Sequence, residues 1–127
     1  MNTPDNIKYA STHEWARIEG DKAYIGISDH AQHAMGDIVF AELPQLGKVF
    51  KAGDSIGVVE SVKAVSDIYT PLSGKVIEVN VSLLDSPEMI NKVPYESWMV
   101  VIEMSNSKEA ERMLTKEQYE DICKEEK

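Results

Sequence analysis

The chain is organised around the stretch Val58-Val59-Glu60-Ser61-Val62-Lys63-Ala64-Val65-Ser66-Asp67, in which two β-rich runs meet at one lysine. β-Branched residues on both sides of the lysine favour pleated, half-buried strands. The pattern predicts a β-hairpin over about residues 56–72 with Lys63 at its tip. Tight hairpin turns favour Asn-Gly or another glycine-containing pair, and residues 62–64 contain none, so we infer that something outside the tip imposes the turn. A lysine exposed there suggests presentation to another protein, and the alternative is an ordinary solvated lysine.

Composition limits the classes of function. A chain of 127 residues is long enough for one domain that buries roughly two-thirds of its unfolded surface. Its 13 basic and 22 acidic residues give a net charge of −9, which disfavours nucleic acid and favours partners with basic surfaces. No apolar run is long enough to span a bilayer, so we expect no membrane insertion. The single cysteine, Cys123, cannot form an internal disulfide and is interpreted as an incidental thiol.

The N-terminus bears on localisation. Residues 1–6 are polar and are expected to be loosely held. They lack the apolar core of a secretory signal and the arginine-rich pattern of a transit peptide. We therefore expect a cytoplasmic protein, or an already processed organellar form such as one from the mitochondrial matrix.

The N-terminal third predicts a hairpin followed by a helix. Alternating residues predict one strand over Lys8–Ile18, with Trp15 in the core, and a second strand over Ala23–Ile27. Ser28 or Asp29 can then cap a short helix that ends at Gly36.

An approximate internal repeat indicates the architecture. Residues 36–41 align with residues 74–79, glycine over glycine and β-branched over β-branched residues. Each copy begins at a glycine and continues as a strand, and the lysine hairpin lies between the copies. Such halves can fold as two small sheets packed face to face.

The C-terminal part predicts a last strand and two helices. The strand covers Trp98–Ile102 and follows a loop, and the helical segment covers about residues 107–126. Ser107 is expected to cap the first helix, and the capping-box pattern Thr115–Gln118 opens the second. Tyr119 and Ile122 would pack the second helix inward.

The sequence contains no recognisable catalytic constellation. It has neither Gly-x-Ser-x-Gly nor a phosphate-binding glycine loop, and its histidines stand at positions 13, 30 and 33. His30 and His33 are spaced so that both could face a metal from one helix, but a third ligand is not evident. We interpret them as surface histidines and expect no metal site.

The residues around Lys63 resemble the lipoyl-attachment segment of the glycine cleavage system H-protein family. The resemblance rests on Glu60–Ala64, Asp67 and Pro71–Gly74, and the tip differs from the Asp-Lys-Ala of 2-oxo acid dehydrogenase lipoyl domains and the Met-Lys-Met of biotinyl domains. It extends over nearly the whole chain, through Tyr9, His13–Trp15, Asp29–Gln32, Gly36–Phe40, Asp85–Pro87, Pro94–Glu96 and Trp98–Met99.

The resemblance implies a mainly β fold of the lipoyl and biotinyl type. This is a flattened β-barrel or a sandwich of two quasi-symmetric sheets, with a short helix in the N-terminal half and C-terminal helices. Residues 1–127 would form a single lipoyl-carrier domain.

The resemblance also implies a cofactor and partners. (R)-Lipoate would be attached covalently to Lys63 by a lipoate ligase or an octanoyl or lipoyl transferase. Glycine decarboxylase would load an aminomethyl group onto the arm, aminomethyltransferase would remove it, and dihydrolipoyl dehydrogenase would reoxidise the dithiol. The chain would be a carrier, most simply monomeric, that catalyses none of these steps.

The family's arm cleft implies further site residues. Glu14 and Asp67 match its glutamate and aspartate, Thr12 stands where the family has a serine, and the neighbouring Ser11 could also supply a hydroxyl. On pattern alone, Glu14 and Asp67 are better explained as solvent-exposed carboxylates or strand-edge charges.

Two further positions are less direct. His33 is displaced by one position from the family's cleft histidine, and Ala34 occupies the expected place. Glu60 is expected to assist recognition by the lipoylating enzyme, or else to orient the tip.

The sequence leaves two alternatives open. The same lysine could relay octanoyl or lipoyl groups to other lipoyl domains, or the chain could be an acidic interaction module in which Lys63 stays unmodified.

Overall fold

The computed structural model of the chain describes residues 7–125. The loosely held terminus expected at residues 1–6 and the last residue of the predicted C-terminal helical segment lie outside the described residues.

The described strands form two antiparallel sheets, which confirms the predicted fold class as an open sandwich rather than a closed barrel. The strands are β1 (Lys8–Tyr9), β2 (Glu14–Glu19), β3 (Lys22–Ile27), β4 (Ile38–Glu42), β5 (Val49–Phe50), β6 (Ser55–Ser61), β7 (Val65–Tyr69), β8 (Gly74–Val79) and β9 (Val100–Met104). The larger sheet has the order β1-β2-β3-β9-β8-β5, and the smaller has the order β4-β6-β7.

The main core lies between the two sheets. Apolar side chains from both sheets pack there, including the fully buried Ala16, Val59 and Val76. The two copies of the repeat contribute β4 to the smaller sheet and β8 to the larger one. The face-to-face packing expected from the repeat is therefore present, with the N-terminal strands enlarging one sheet.

The prediction of one strand over Lys8–Ile18 is wrong. The chain reverses between β1 and β2, because the N–H of His13 donates to the carbonyl of Ala10 and the N–H of Ala10 donates to the carbonyl of Glu14, each at 2.9 Å. His13 has φ 80°, a left-handed conformation that is uncommon outside glycine. No glycine marks this turn, so the sequence pattern missed it.

The predicted first helix is confirmed as α1 (Asp29–Met35). The Ser28 hydroxyl accepts a hydrogen bond from the N–H of Ala31 at 3.1 Å and acts as the N-cap. Gly36 ends the helix with φ 80°, a conformation that glycine adopts without steric cost.

The segment between β8 and β9 is more regular than predicted. It contains two one-turn helices, α2 (Ser82–Asp85) and α3 (Met89–Lys92), and the second lies in the segment after Pro87 where a loop was expected. The last strand begins at Val100, two residues later than predicted. Trp98 lies before it because its carbonyl accepts from the side-chain amide of Asn80 at 2.8 Å.

The C-terminal helices follow the prediction with two corrections. Asn106, not Ser107, caps the first, a 3-10 helix over Ser107–Arg112, by accepting from the N–H of Lys108 at 3.1 Å. Ile122, expected inside the second helix, α4 (Lys116–Glu125), is only half-buried. Cys123 is buried instead, because it follows Tyr119 by four residues and shares its face.

The capping box of α4 is confirmed. The Thr115 hydroxyl accepts from the N–H of Gln118 at 3.2 Å, and the Gln118 side chain accepts from the N–H of Thr115 at 2.9 Å.

A second, aromatic cluster lies under α4. Tyr9, Trp15 and Tyr119 are fully buried there, and the rings of Tyr9 and Tyr119 stack with centroids 4.5 Å apart. Trp15 is thus a core residue, as predicted. Among residues 7–125, the helices are too short and too polar to cross a membrane.

Candidate functional site: the Lys63 hairpin and the adjoining cleft

The hairpin that carries Lys63 is formed by β6 and β7. Glu60 and Val65 are the last Cα partners before the tip, and residues 62–64 are exposed to solvent. Lys63 therefore lies at the bend between two paired strands.

Two kinds of contact hold the turn without glycine. The Ser61 hydroxyl accepts from the N–H groups of Lys63 at 3.2 Å and Ala64 at 3.0 Å. The N–H of Val62 donates to the carbonyl of Asp37, which precedes β4, at 3.1 Å. The contact to Asp37 agrees with the expectation that the turn is imposed from outside the tip. The contacts to Ser61 do not, because they are local and serine side chains can organise a turn by themselves.

The stem of Lys63 lies over the end of α1. A Cβ placed on Gly36 would be 3.5 Å from Cε of Lys63, an ordinary van der Waals separation, so the lysine stem passes close to Gly36. Glycine is favoured at position 36 by its φ of 80°, which ends the helix.

A cleft of about 210 Å³ lies beside α1. Its walls come from the turn before β2, from one side of α1 and from β7. They are formed by Thr12, His13, Glu14, Ile27, His30, Ala31, Ala34, Met35, Ser66, Asp67 and Ile68. Helix α1 therefore contributes both to the cleft and to the surface on which the Lys63 stem lies.

Glu14 is the most buried carboxylate of the cleft, with 2% of its surface exposed. Alternation along β2 directs it to the same side as the core residue Ala16. Its Oε2 accepts from the backbone N–H of Tyr69 at 3.1 Å, and its Oε1 accepts from the Thr12 hydroxyl. Burial raises the pKa of Glu14, and these hydrogen bonds oppose the rise.

The structure brings Thr12, Glu14 and Asp67 together on this cleft. Asp67 is exposed, and its Oδ1 accepts from the Ser55 hydroxyl at 3.1 Å. The solvent-exposed alternative holds for Asp67 but not for Glu14.

The remaining candidate residues lie elsewhere. Ser11 lines a different cavity, beside Pro71 and Arg112. His33 is exposed and is not among the residues that line the cleft, whereas its neighbour Ala34 is. Glu60 is half-buried next to the tip.

Sequence reasoning missed two cleft residues, His13 and His30. Their rings stack with centroids 4.8 Å apart, and Nδ1 of His13 is 2.7 Å from the hydroxyl oxygen of Tyr119. His30 is therefore not simply a surface histidine. The pattern carried no signal for this arrangement, because Tyr119 follows His13 by 106 residues.

Exposed apolar side chains surround the tip. Val62 is 72% exposed and Val65 is 67% exposed, and Val39 and Phe40 on the adjacent edge strand are about half exposed. Such a patch is typical of a surface that contacts another protein.

Comparisons with known proteins agree along the whole described chain. The family model described as "Glycine cleavage H-protein" matches residues 7–126. Proteins named glycine cleavage system H protein are similar to this chain at 53% identity in Geobacillus sp. (strain WCH70) and at 50% in Bacillus subtilis (strain 168). Each similarity covers 98% of this chain and 99% of the relative.

A solved structure gives the same result for the fold. The crystal structure of a glycine cleavage system H protein from Mycobacterium marinum superposes with a TM-score of 0.84 at 35% identity, over 94% of this chain and 97% of that one.

Proposed function

This chain belongs to the glycine cleavage H-protein family, a family of lipoyl carriers, and from that premise we propose that Lys63 is the residue to which lipoate is attached. The single observation that carries the proposal is the exposure of Lys63 at the tip of the β6–β7 hairpin, where an enzyme can reach the amine.

The surroundings of Lys63 fit an acylated lysine. Amide formation removes the positive charge, so the extended side chain can lie on apolar surface without the cost of burying an ammonium. The stem passes close to Gly36 at the end of α1, and α1 also lines the cleft, where Ala31 and Met35 offer apolar contacts. When bound, lipoate supplies the disulfide that accepts the aminomethyl group and two electrons.

Residues of the cleft would bind the cationic amine of the cargo. Glu14 offers a buried carboxylate, which Thr12 and the N–H of Tyr69 hold in place, and Asp67 offers a second carboxylate at the opening. Charge-assisted hydrogen bonds to these groups would hold the amine and keep the labile carbon away from bulk water.

The arrangement supports a non-catalytic shuttle. The chain would carry the aminomethyl group and reducing equivalents between glycine decarboxylase, aminomethyltransferase and dihydrolipoyl dehydrogenase. The rigid hairpin fixes the anchor, which raises the effective concentration of the arm near each docked enzyme. The apolar patch around the tip and the net charge of −9 support docking of a monomer on surfaces with apolar and basic residues.

Attachment requires recognition of the tip. Glu60 is half-buried on β6, three residues before the lysine, and we assign it to recognition by the lipoate ligase or the octanoyl or lipoyl transferase. Relay of octanoyl or lipoyl groups to other lipoyl domains would use the same Lys63. Deleting the gene and measuring lipoylation of 2-oxo acid dehydrogenases tests the relay.

Intact mass tests the attachment site. Wild-type protein from a lipoylation-competent host should gain the mass of one lipoyl group, and Lys63→Arg should gain none and should not support glycine decarboxylation. Lys75→Arg, at an exposed lysine on β8, is the matched control and should be modified normally. An unmodified wild type in the presence of active ligase would favour the acidic interaction module, and a modified, active Lys63→Arg would show that the anchor is elsewhere.

A further inference from the structure

Three potential metal ligands meet at the side of the cleft nearest α4. One ring nitrogen of His13, one of His30 and the sulfur of Cys123 all lie within 4.8 Å of one another. They come from three separate segments: the turn before β2, helix α1 and helix α4.

The fold fixes each ligand independently. The capped helix α1 carries His30, and α4 carries Cys123 on the buried face that it shares with Tyr119. His13 occupies the left-handed conformation at φ 80°, and such backbone outliers in non-glycine residues cluster at functional sites.

The ligand set matches the preferences of zinc. Imidazole nitrogen and thiolate sulfur are its usual protein ligands, and tetrahedral coordination at about 2.0–2.3 Å places neighbouring ligand atoms about 3.3–3.7 Å apart. Separations within 4.8 Å therefore need side-chain shifts of only about 1 Å to close around an ion. Three protein ligands leave a fourth position for water, as in zinc sites that remain open to solvent.

We propose that His13, His30 and Cys123 form a zinc-binding site that opens into the cleft. Cys123 is 8% exposed, but both histidines are partly exposed and line the cleft, which gives the ion a path from solvent. Binding replaces the thiol proton of Cys123 with the metal and releases that proton to solvent.

A second layer of contacts supports the ligands. The Tyr119 hydroxyl lies 2.7 Å from Nδ1 of His13 and 2.6 Å from Oγ of Ser28, the N-cap of α1. Partners of this kind orient ligating imidazoles and raise metal affinity. If the proposed arm occupies the cleft, a bound ion would take part of the same space, but the metal site itself does not depend on lipoylation.

Titration of the unlipoylated, tag-free chain with Zn²⁺ against a chromophoric chelator tests the site. We expect one saturable equivalent, and losses in affinity of at least about tenfold in Cys123→Ser and in His30→Gln. His33→Gln, on the same helix but outside the cluster, is the matched control and should bind like the wild type. With Co²⁺ in place of Zn²⁺, the wild type should show a thiolate-to-metal charge-transfer band that Cys123→Ser lacks.

Three results would overturn the site: no saturable Zn²⁺ binding by the wild type, an equal loss in His33→Gln and His30→Gln, or a charge-transfer band that persists in Cys123→Ser. Thermal unfolding verifies that each variant is folded. Because Cys123 is buried, His30→Gln decides the question if Cys123→Ser does not fold. The wild-type unfolding temperature should also rise with added Zn²⁺, because the ion binds the folded state.

Discussion

The carboxylate of Glu14 accepts a hydrogen bond from the backbone N–H of Tyr69 at 3.1 Å and thereby joins the larger sheet to the smaller one. Tyr69 lies on β7, an edge strand, where some N–H groups have no neighbouring strand to pair with. Glu14 pairs with one of these groups and at the same time places its carboxyl group in the wall of the cleft.

Glu14→Gln should change how stability depends on pH. Burial raises the pKa of Glu14 above its ordinary value of 4.5, so the folded chain binds the carboxyl proton more tightly than the unfolded chain does. The contribution of this group to the free energy of unfolding is therefore fully present below pH 4.5 and is lost as the pH rises through the folded pKa. Between the two pKa values the loss approaches about 1.4 kcal/mol per pH unit.

Glutamine cannot ionise but retains an acceptor for Tyr69. The urea-unfolding free energy of the wild type should therefore lose this contribution as the pH rises through the window, whereas that of Glu14→Gln should not. The variant should become more stable relative to the wild type. A difference that stays constant with pH would mean that burial of Glu14 has no energetic effect.

Gly26→Ala should destabilise the aromatic cluster. A Cβ at Gly26 would lie 2.7 Å from Cζ2 of Trp15, and the indole cannot move aside because it is fully buried. We expect a loss of about 1–3 kcal/mol, measured by chemical denaturation. A double-mutant cycle with Trp15→Phe provides the control, because the smaller ring should reduce the cost of the added methyl group. An equal cost in both backgrounds would contradict a clash with Trp15.

Ser61→Ala should loosen the tip that presents Lys63. The Ser61 hydroxyl accepts from two N–H groups of the turn, and its removal should cost about 1 kcal/mol and slow lipoylation of Lys63. Unfolding free energy and the initial rate of mass gain are the measurements. Ser105→Ala, at an exposed serine that follows β9, should change neither. An unaltered lipoylation rate in Ser61→Ala would mean that the backbone contacts of the turn, including the one to Asp37, hold the tip without the hydroxyl.

Thr115→Ala should weaken helix α4. The Thr115 hydroxyl caps the N–H of Gln118, and loss of an N-cap typically costs about 1 kcal/mol. Faster hydrogen exchange in the first turn of α4 would locate the effect. Thr115→Ser retains the hydroxyl and should stay close to the wild type, so equal losses in the two variants would argue against the cap.

Features that depend on residues close together in the chain were predicted correctly from the sequence. Ser28 and Gly36 marked the ends of α1, and Thr115 with Gln118 marked the start of α4, because each cap is a contact between residues only a few positions apart. The strand expected over Lys8–Ile18 failed for the complementary reason. Its turn depends on a left-handed His13, and the sequence signal for such turns is a glycine that is absent here.

The same distinction applies to the residues of the candidate site. The sequence identified Lys63 and, through resemblance, Glu14, Thr12 and Asp67, which the structure gathers on one cleft. From the sequence we could not exclude Ser11 and His33 from that cleft, and we could not predict that His13 and His30 line it. Whether a residue on a turn or a short helix faces a cleft depends on the elements packed against it, and those elements are distant in the chain.

The sequence by itself determined the two-sheet architecture, the position of Lys63 between two strands and the family of the chain, because strand patterns, caps and motifs are properties of short segments. Only the tertiary structure decided that Glu14 is buried against Tyr69, 55 residues later, and that His13 and His30 meet Cys123 beneath α4. Alternation along a strand or helix specifies which face a side chain occupies. The group it meets there is specified only when the whole chain has packed.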